Sequence, residues 1–257
     1  MRILKKKLLF SLVSEQNFLI KAEGYGYKDY GYLYFRLSEF EKGSVRDAAS
    51  RLVKAGLVDR IVRSDESRFR ITAMGREKLL EDLMIYRGQR RVWDRRWRIV
   101  IVGKLGKDLR TVQRKLANLG YKRVARGVYI TPLSVSEETK SFFLSKTWTV
   151  EVQMIESRKL IVGDDWQLAR RLWKLDKQGE KYADFVRESE LLLKMGRRNI
   201  MLLRQAKKGF KQMFDRYFWL LQEDAGMPKK LLPADWQADK AREVFLRLVE
   251  LGKTANL

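Results

Sequence analysis

Arg46, Ser50 and Lys54 stand four residues apart in turn, and Arg51 lies between them. On a helix that spacing gathers two guanidiniums, an ammonium and a hydroxyl onto one outward side. A guanidinium offers a donor pair that matches O6 and N7 of guanine, while Lys and Ser reach bases or phosphate oxygens. Arg63, Arg68 and Arg70 flank a polar turn a few residues later, placed for phosphates or the minor groove. A third set, Arg90, Arg91, Arg95, Arg96, Lys122 and Arg123, belongs to a stretch suited to phosphate backbone. From Arg87 to Arg126 the basic residues far outnumber the two acids, Asp94 and Asp108. All three sets point to polyanion recognition rather than bond-making. The competing reading of the first two is a module used for protein contacts.

Composition supports the polyanion reading. The 257 residues carry 55 Lys and Arg against 32 Asp and Glu, a formal charge of +23 that favours nucleic acid or another polyanion. There is no cysteine and no histidine, which excludes disulfides, thiolate chemistry, imidazole bases and cysteine- or histidine-ligated zinc. A magnesium site made of carboxylates stays open. Gly24-Tyr25-Gly26 and Gly103-Lys104-Leu105-Gly106 match neither GxGxxG nor GxxxxGK[ST]. The expectation is therefore a protein that is not an enzyme and needs no cofactor. No stretch approaches the roughly 20 apolar residues of a membrane span. The basic, apolar first twenty residues lack a small-residue cleavage site and read as an amphipathic helix. The default location is cytoplasmic, with no membrane partner.

The elements that must position these side chains follow from periodicity. A helix is expected over 4–20. The tyrosine- and glycine-rich stretch 24–34 reads as a strand or loop, its tyrosines as core or as stacking platforms. A short helix at 37–40, a turn at Gly43 and a helix over 45–55 follow. Ser44 caps that helix, with Asp47 at the capping-box spacing. Val45, Ala48, Ala49, Leu52 and Val53 form its apolar face. Strands at 57–62 and 68–72 enclose a polar turn. Thr72 caps a last helix whose core candidates are Met74, Leu79, Leu80 and Leu83. Helix, turn, helix, hairpin, helix is the order of a winged helix-turn-helix, whose second helix fits the major groove.

Beyond a basic connector, strands at 97–102, 121–125, 128–130 and 148–155 alternate with helices at 108–119 and 135–144. Asp108 and Ser134 or Ser136 serve as caps. That is the ferredoxin-like order. Helices at 166–175, 179–193, 195–221 and 238–251 follow. The expected class is α+β, with a winged helix at 1–87, a linker at 88–96, a ferredoxin-like domain at 97–163 and a helical domain at 164–257. Trp93 and Trp97 are expected at a domain junction, and Trp236 in a gap between helices.

Three strings also carry a resemblance: WDRRWRIVIV at 93–102, LGYKRVARGVYITP at 119–132, and LPADW at 232–236, with 166–185 in support. Together they resemble the PaaX family of bacterial transcriptional repressors, and the likeness runs over nearly the whole chain. The resemblance implies a dimer whose winged helix occupies a roughly palindromic operator on double-stranded DNA. It also implies a small acidic or coenzyme A thioester effector and a Cas2-like middle domain. Where that family and Cas2 place an aspartate after the first middle-domain strand, this chain has Gly103 and Lys104, which argues against nuclease activity. The alternatives are a Cas2-like CRISPR-associated protein or nuclease, and an architectural or RNA-binding protein.

Overall fold

The computed structural model describes residues 3–13, 26–83, 92–103, 107–145, 147–148, 151–158, 160–198 and 207–254. They belong to two compact units. One combines Met1–Leu83, Lys181–Gln222 and Gln237–Leu257, and the other Met84–Glu180 and Glu223–Trp236. The helical C-terminal segment is thus divided between them.

In the first unit, α1 (Ile3–Leu12) is buried nearly all round from Lys7 onward, as a central helix must be. Its expected extension over 14–20 lies outside the described residues. The tyrosine-rich stretch becomes a two-residue strand, β1 (Lys28–Asp29), and a helix, α2 (Tyr30–Arg36). Asp29 decides the switch: its carboxylate accepts the Tyr32 N–H at 2.7 Å and caps α2. Residues 37–40 form a turn, not the expected short helix.

Helix α3 (Lys42–Lys54) starts before Ser44, because the Val45 N–H already bonds to the Glu41 carbonyl at 3.1 Å. Gly43 and Ser44 therefore sit inside the first turn, and neither the Ser44 cap nor the capping box with Asp47 forms. The apolar face is as the periodicity requires: Val45, Ala48, Ala49 and Leu52 are buried.

Strands β2 (Val58–Arg63) and β3 (Glu66–Ile71) pair antiparallel, with Arg63 opposite Glu66. The turn is only Ser64-Asp65, both left-handed at φ 48° and 60°, which suits a tight hairpin better than the longer polar turn expected. Strand β1 adds to the far side of β3. Thr72 caps α4 (Ala73–Asp82) by accepting the Gly75 N–H at 3.0 Å. Leu79 and Leu83 are buried there, whereas Met74, expected in the core, is more than half exposed.

The unit is completed by residues 181–198 of α8 (Leu175–Arg198), by α9 (Lys207–Glu223) and by α10 (Ala238–Thr254). Phe10 of α1 meets Phe214 and Phe218 at ring distances of 4.8 and 5.2 Å. Tyr217 stacks on Phe245 at 4.0 Å. Lys7, although only 2% exposed, is ion-paired to Glu39 and to Asp215, and Lys211 pairs with Asp215 at 2.7 Å.

The second unit runs β4 (Trp97–Val102), α5 (Leu109–Asn118), β5 (Lys122–Ala125), β6 (Val128–Thr131), α6 (Ser136–Leu144), β7 (Val152–Ser157) and α7 (Asp165–Trp173). The sheet order is β5-β6-β4-β7, every neighbour antiparallel. Asp108 stands at the N-cap position of α5 and Val135 at that of α6, but neither helix receives a side-chain cap there. Strand β7 starts later than expected because Trp148 packs on Phe142 and donates its indole N–H to the Phe143 carbonyl at 2.8 Å.

Cross-strand register assigns the two sheet faces. Arg98, Val100, Tyr129 and Arg123 share one face with α5 and α6, since Gln113 bonds to Tyr129 and Ser136 to Arg98. Trp97 lies on the other, where its Nε1 donates to Asp165 of α7 at 2.6 Å. Trp97 is thus core to this unit, with Trp93 edge-on to it at 6.3 Å. Trp236 packs against Gly179 as a filler.

Candidate nucleic-acid interface

Burying Val45, Ala48, Ala49 and Leu52 leaves Lys42, Arg46, Asp47, Ser50, Arg51 and Lys54 exposed on α3. Arg46, Ser50, Arg51 and Lys54 therefore share one solvent-facing side. Arg51 keeps only a loose, exposed contact with Asp47 at 4.0 Å. Arg46 is held: its Nε donates to the Tyr34 hydroxyl at 2.6 Å. Tyr34 stacks on Tyr30 at 5.5 Å, and Tyr30 stands edge-on to buried Phe69 at 4.7 Å. The chain Phe69–Tyr30–Tyr34–Arg46 runs from the core of the hairpin to the surface of α3. The hydrogen bond to Tyr34 raises the Arg46 guanidinium above its ordinary value, so it stays charged. Burial raises the Tyr30 phenol, which stays neutral.

The hairpin arginines are less free. Arg63, Arg68 and Arg70 lie on the sheet face opposite Phe69 and Ile71, together with Asp59 and Glu66. Arg70 pairs with Asp59 at 2.8 Å, and its guanidinium covers the Tyr27 ring at 4.8 Å. That hydrogen bond raises its value further. Arg68 lies 3.9 Å from Glu66. Arg63, beside the turn, is exposed.

In the second unit the expected backbone patch separates. Arg90 and Arg91 lie outside the described residues. Arg95 is exposed with φ 59°, while Arg96 pairs with Glu156 at 2.9 Å. Lys122 and Arg123 are both exposed on β5, but register puts them on opposite faces of the sheet. Arg98 plays a structural part. It is 2% exposed and bonds to Asp94, Glu156 and Ser136. Burial alone would raise the Asp94 carboxyl, but the hydrogen bonds from Arg98 and the Arg96 N–H bring it below its ordinary value. The Ser136 hydroxyl, then Arg96, lower Glu156 likewise.

Residues the sequence reading did not single out are Lys42 at the start of α3, the Tyr30–Tyr34 pair that holds Arg46, Lys107, Arg110 and Arg114 before and on α5, and Arg126 after β5. The four-residue spacing of Tyr30 and Tyr34 was the available signal for that pair. Among the described residues no group of three or more acidic side chains is placed to hold a metal ion, and no helix is long and apolar enough to cross a membrane.

A model of the PaaX-like protein C-terminal domain matches residues 173–256. No curated protein matches the sequence. Among solved structures, the fold is similar to that of uncharacterized protein Rv0674 from Mycobacterium tuberculosis, at a TM-score of 0.56 and 19% identity, covering 97% of each chain. The chain therefore carries a PaaX-like C-terminal domain, which points to a family of transcriptional regulators, and shares an overall α+β architecture with that structure.

Proposed function

We propose that this protein is a double-stranded-DNA-binding transcriptional regulator whose reader is a winged helix-turn-helix, with α2 and α3 as the helix pair and β2–β3 as the wing. The observation that carries the reading is the outward side of α3. It presents Arg46, Ser50, Arg51 and Lys54 while every fully buried residue of the helix is apolar or alanine. Such a helix fits the major groove, and Arg51, held only by its loose contact with Asp47, is the base reader. Arg46, fixed by Tyr34, sets the register of the helix against phosphate or a base edge. The β-α-β-β-α-β order of the second unit and its sheet order support a ferredoxin-like, Cas2-like scaffold there. The PaaX-like C-terminal domain supports a repressor acting as a homodimer on a roughly palindromic site.

Selection of bound duplexes from a random pool tests this directly. The expected outcome is an enriched motif with two-fold symmetry, relaxed at defined positions by Arg51→Ala. A pool with no enriched motif would overturn the assignment of α3 as a base reader.

A further inference from the structure

A groove of about 500 Å³ opens between α5 and the β5–β6 hairpin, lined by Leu109, Gln113, Arg123, Val124, Arg126 and Tyr129 among others. Its floor is a fixed polar pair, with the Gln113 amide donating to the Tyr129 hydroxyl at 3.1 Å. Its rim is built with care. The register of β5 shifts between Arg123 and Ala125, and this bulge leaves Val124 half-exposed. Bulges re-aim side chains in this way. Arg126 sits in the tight turn that follows. Gly127, at φ 77°, is pressed against β4: a Cβ there would lie 2.5 Å from the Val102 carbonyl, and the Val102 N–H donates to the Gly127 carbonyl at 2.7 Å. The turn that carries Arg126 is therefore anchored to the central strand.

The charged residues that line the groove are Arg123 and Arg126, both basic. Lys107, Arg110 and Arg114 are exposed on and before α5, and Arg123 and Arg126 are exposed at the rim. None of the five pairs with an acid among the described residues. In contrast, Arg68, Arg70, Arg96 and Arg98 each do. Unpaired guanidiniums beside an apolar wall are what a phosphoryl group attached to a flat ring requires: bidentate donors for the anion and van der Waals contact for the ring.

We propose that this groove is a second anion site, which takes the phosphoryl group of a nucleotide. Arg123 and Arg126 hold the phosphoryl oxygens, and Val124 and Leu109 meet the base. The site uses no residue of α3 and stands independently of the DNA-reader assignment. The same chemistry is available from a free nucleotide or from a nucleic-acid strand, and the experiment separates the two. In the full chain, phenylglyoxal modification of individual arginines is followed by mass spectrometry with no addition, with ATP, with inorganic triphosphate and with a mixed-sequence 20-base-pair duplex.

Protection of Arg123 and Arg126 by ATP identifies a free nucleotide, and protection by the duplex alone identifies a strand. The Arg123→Ala/Arg126→Ala variant is expected to bind the protecting probe about tenfold more weakly, consistent with the loss of charge-assisted bonds. The Arg51→Ala variant is expected to keep full protection of the groove by ATP. Both rim residues are exposed, so the double variant is expected to fold, as circular dichroism would verify. Unchanged modification of Arg123 and Arg126 with all three probes, or unchanged affinity in the double variant, overturns the site.

Discussion

The ammonium of Lys7, in α1, lies 2.9 Å from the Asp215 carboxylate in α9 and also pairs with Glu39 in the turn before α3. One buried cation thus ties the start of the chain, the approach to the candidate reader helix and the C-terminal helices together. Removing one partner of a fully buried ion pair costs about 3–5 kcal/mol, but Glu39 reaches solvent and Asp215 keeps Lys211 at 2.7 Å, so the loss here is about 1–3 kcal/mol. Lys7→Ala is therefore expected to lower unfolding stability by an amount in that range, read from the urea midpoint. A change of under about 1 kcal/mol would show that Lys7 is no anchor.

The Arg46–Tyr34 bond makes a separate prediction. Tyr34→Phe keeps the stack on Tyr30 and removes only the acceptor for Arg46. Loss of one ordinary hydrogen bond is worth about 0.5–1.5 kcal/mol. Duplex affinity is expected to fall several-fold while the thermal midpoint moves little. Equal affinities for the variant and the parent protein would remove Arg46 from the register-setting role.

Much of this arrangement was legible in the sequence, and the part that was not has physical causes. The apolar spacing of Val45, Ala48, Ala49 and Leu52 revealed which side of α3 faces inward, because helical period is a strong signal. The start of that helix was misplaced because Ser44 is a good cap by type, yet the preceding turn at residues 37–40 lets the helix begin at Lys42. Tyr30 and Tyr34 fit strand and loop alike by type, since glycine and tyrosine have poor helix propensity. The Asp29 cap overrode that weak preference. The fate of Arg98 could not be read at all: its partners Glu156 and Ser136 are distant in sequence and meet it only across the sheet and α6.

Acid sensitivity should centre on that arginine. Asp94 and Glu156 both titrate below their ordinary values. Their contribution is thus fully present above the unfolded carboxylate range, near pH 4, and is lost as pH falls through the lower folded values. Thermal melts from pH 7 down to pH 3 are expected to show a steep fall below about pH 4. The Asp94→Asn/Glu156→Gln variant, less stable at neutral pH, is expected to show a shallower one. Parallel curves for the two proteins would rule out Arg98's partners as the source.

Gly75 carries a purely steric prediction. A Cβ there would stand 2.0 Å from the Leu57 carbonyl, so α4 could no longer sit against the backbone that leads into β2. Gly75→Ala is expected to destabilise the protein by about 1–3 kcal/mol despite alanine's better helix propensity. A more stable variant in calorimetry would show that the helix shifts freely.

The interleaved make-up of the first unit has a consequence for how the protein is made. Phe10 leaves the ribosome about two hundred residues ahead of Phe214, Phe218 and Phe245, the rings that cover it. The segment that carries α1 must wait with an open apolar helix while more than two hundred residues are added. Shortened products that stop before α9 would expose that helix and are natural targets for chaperones and proteases.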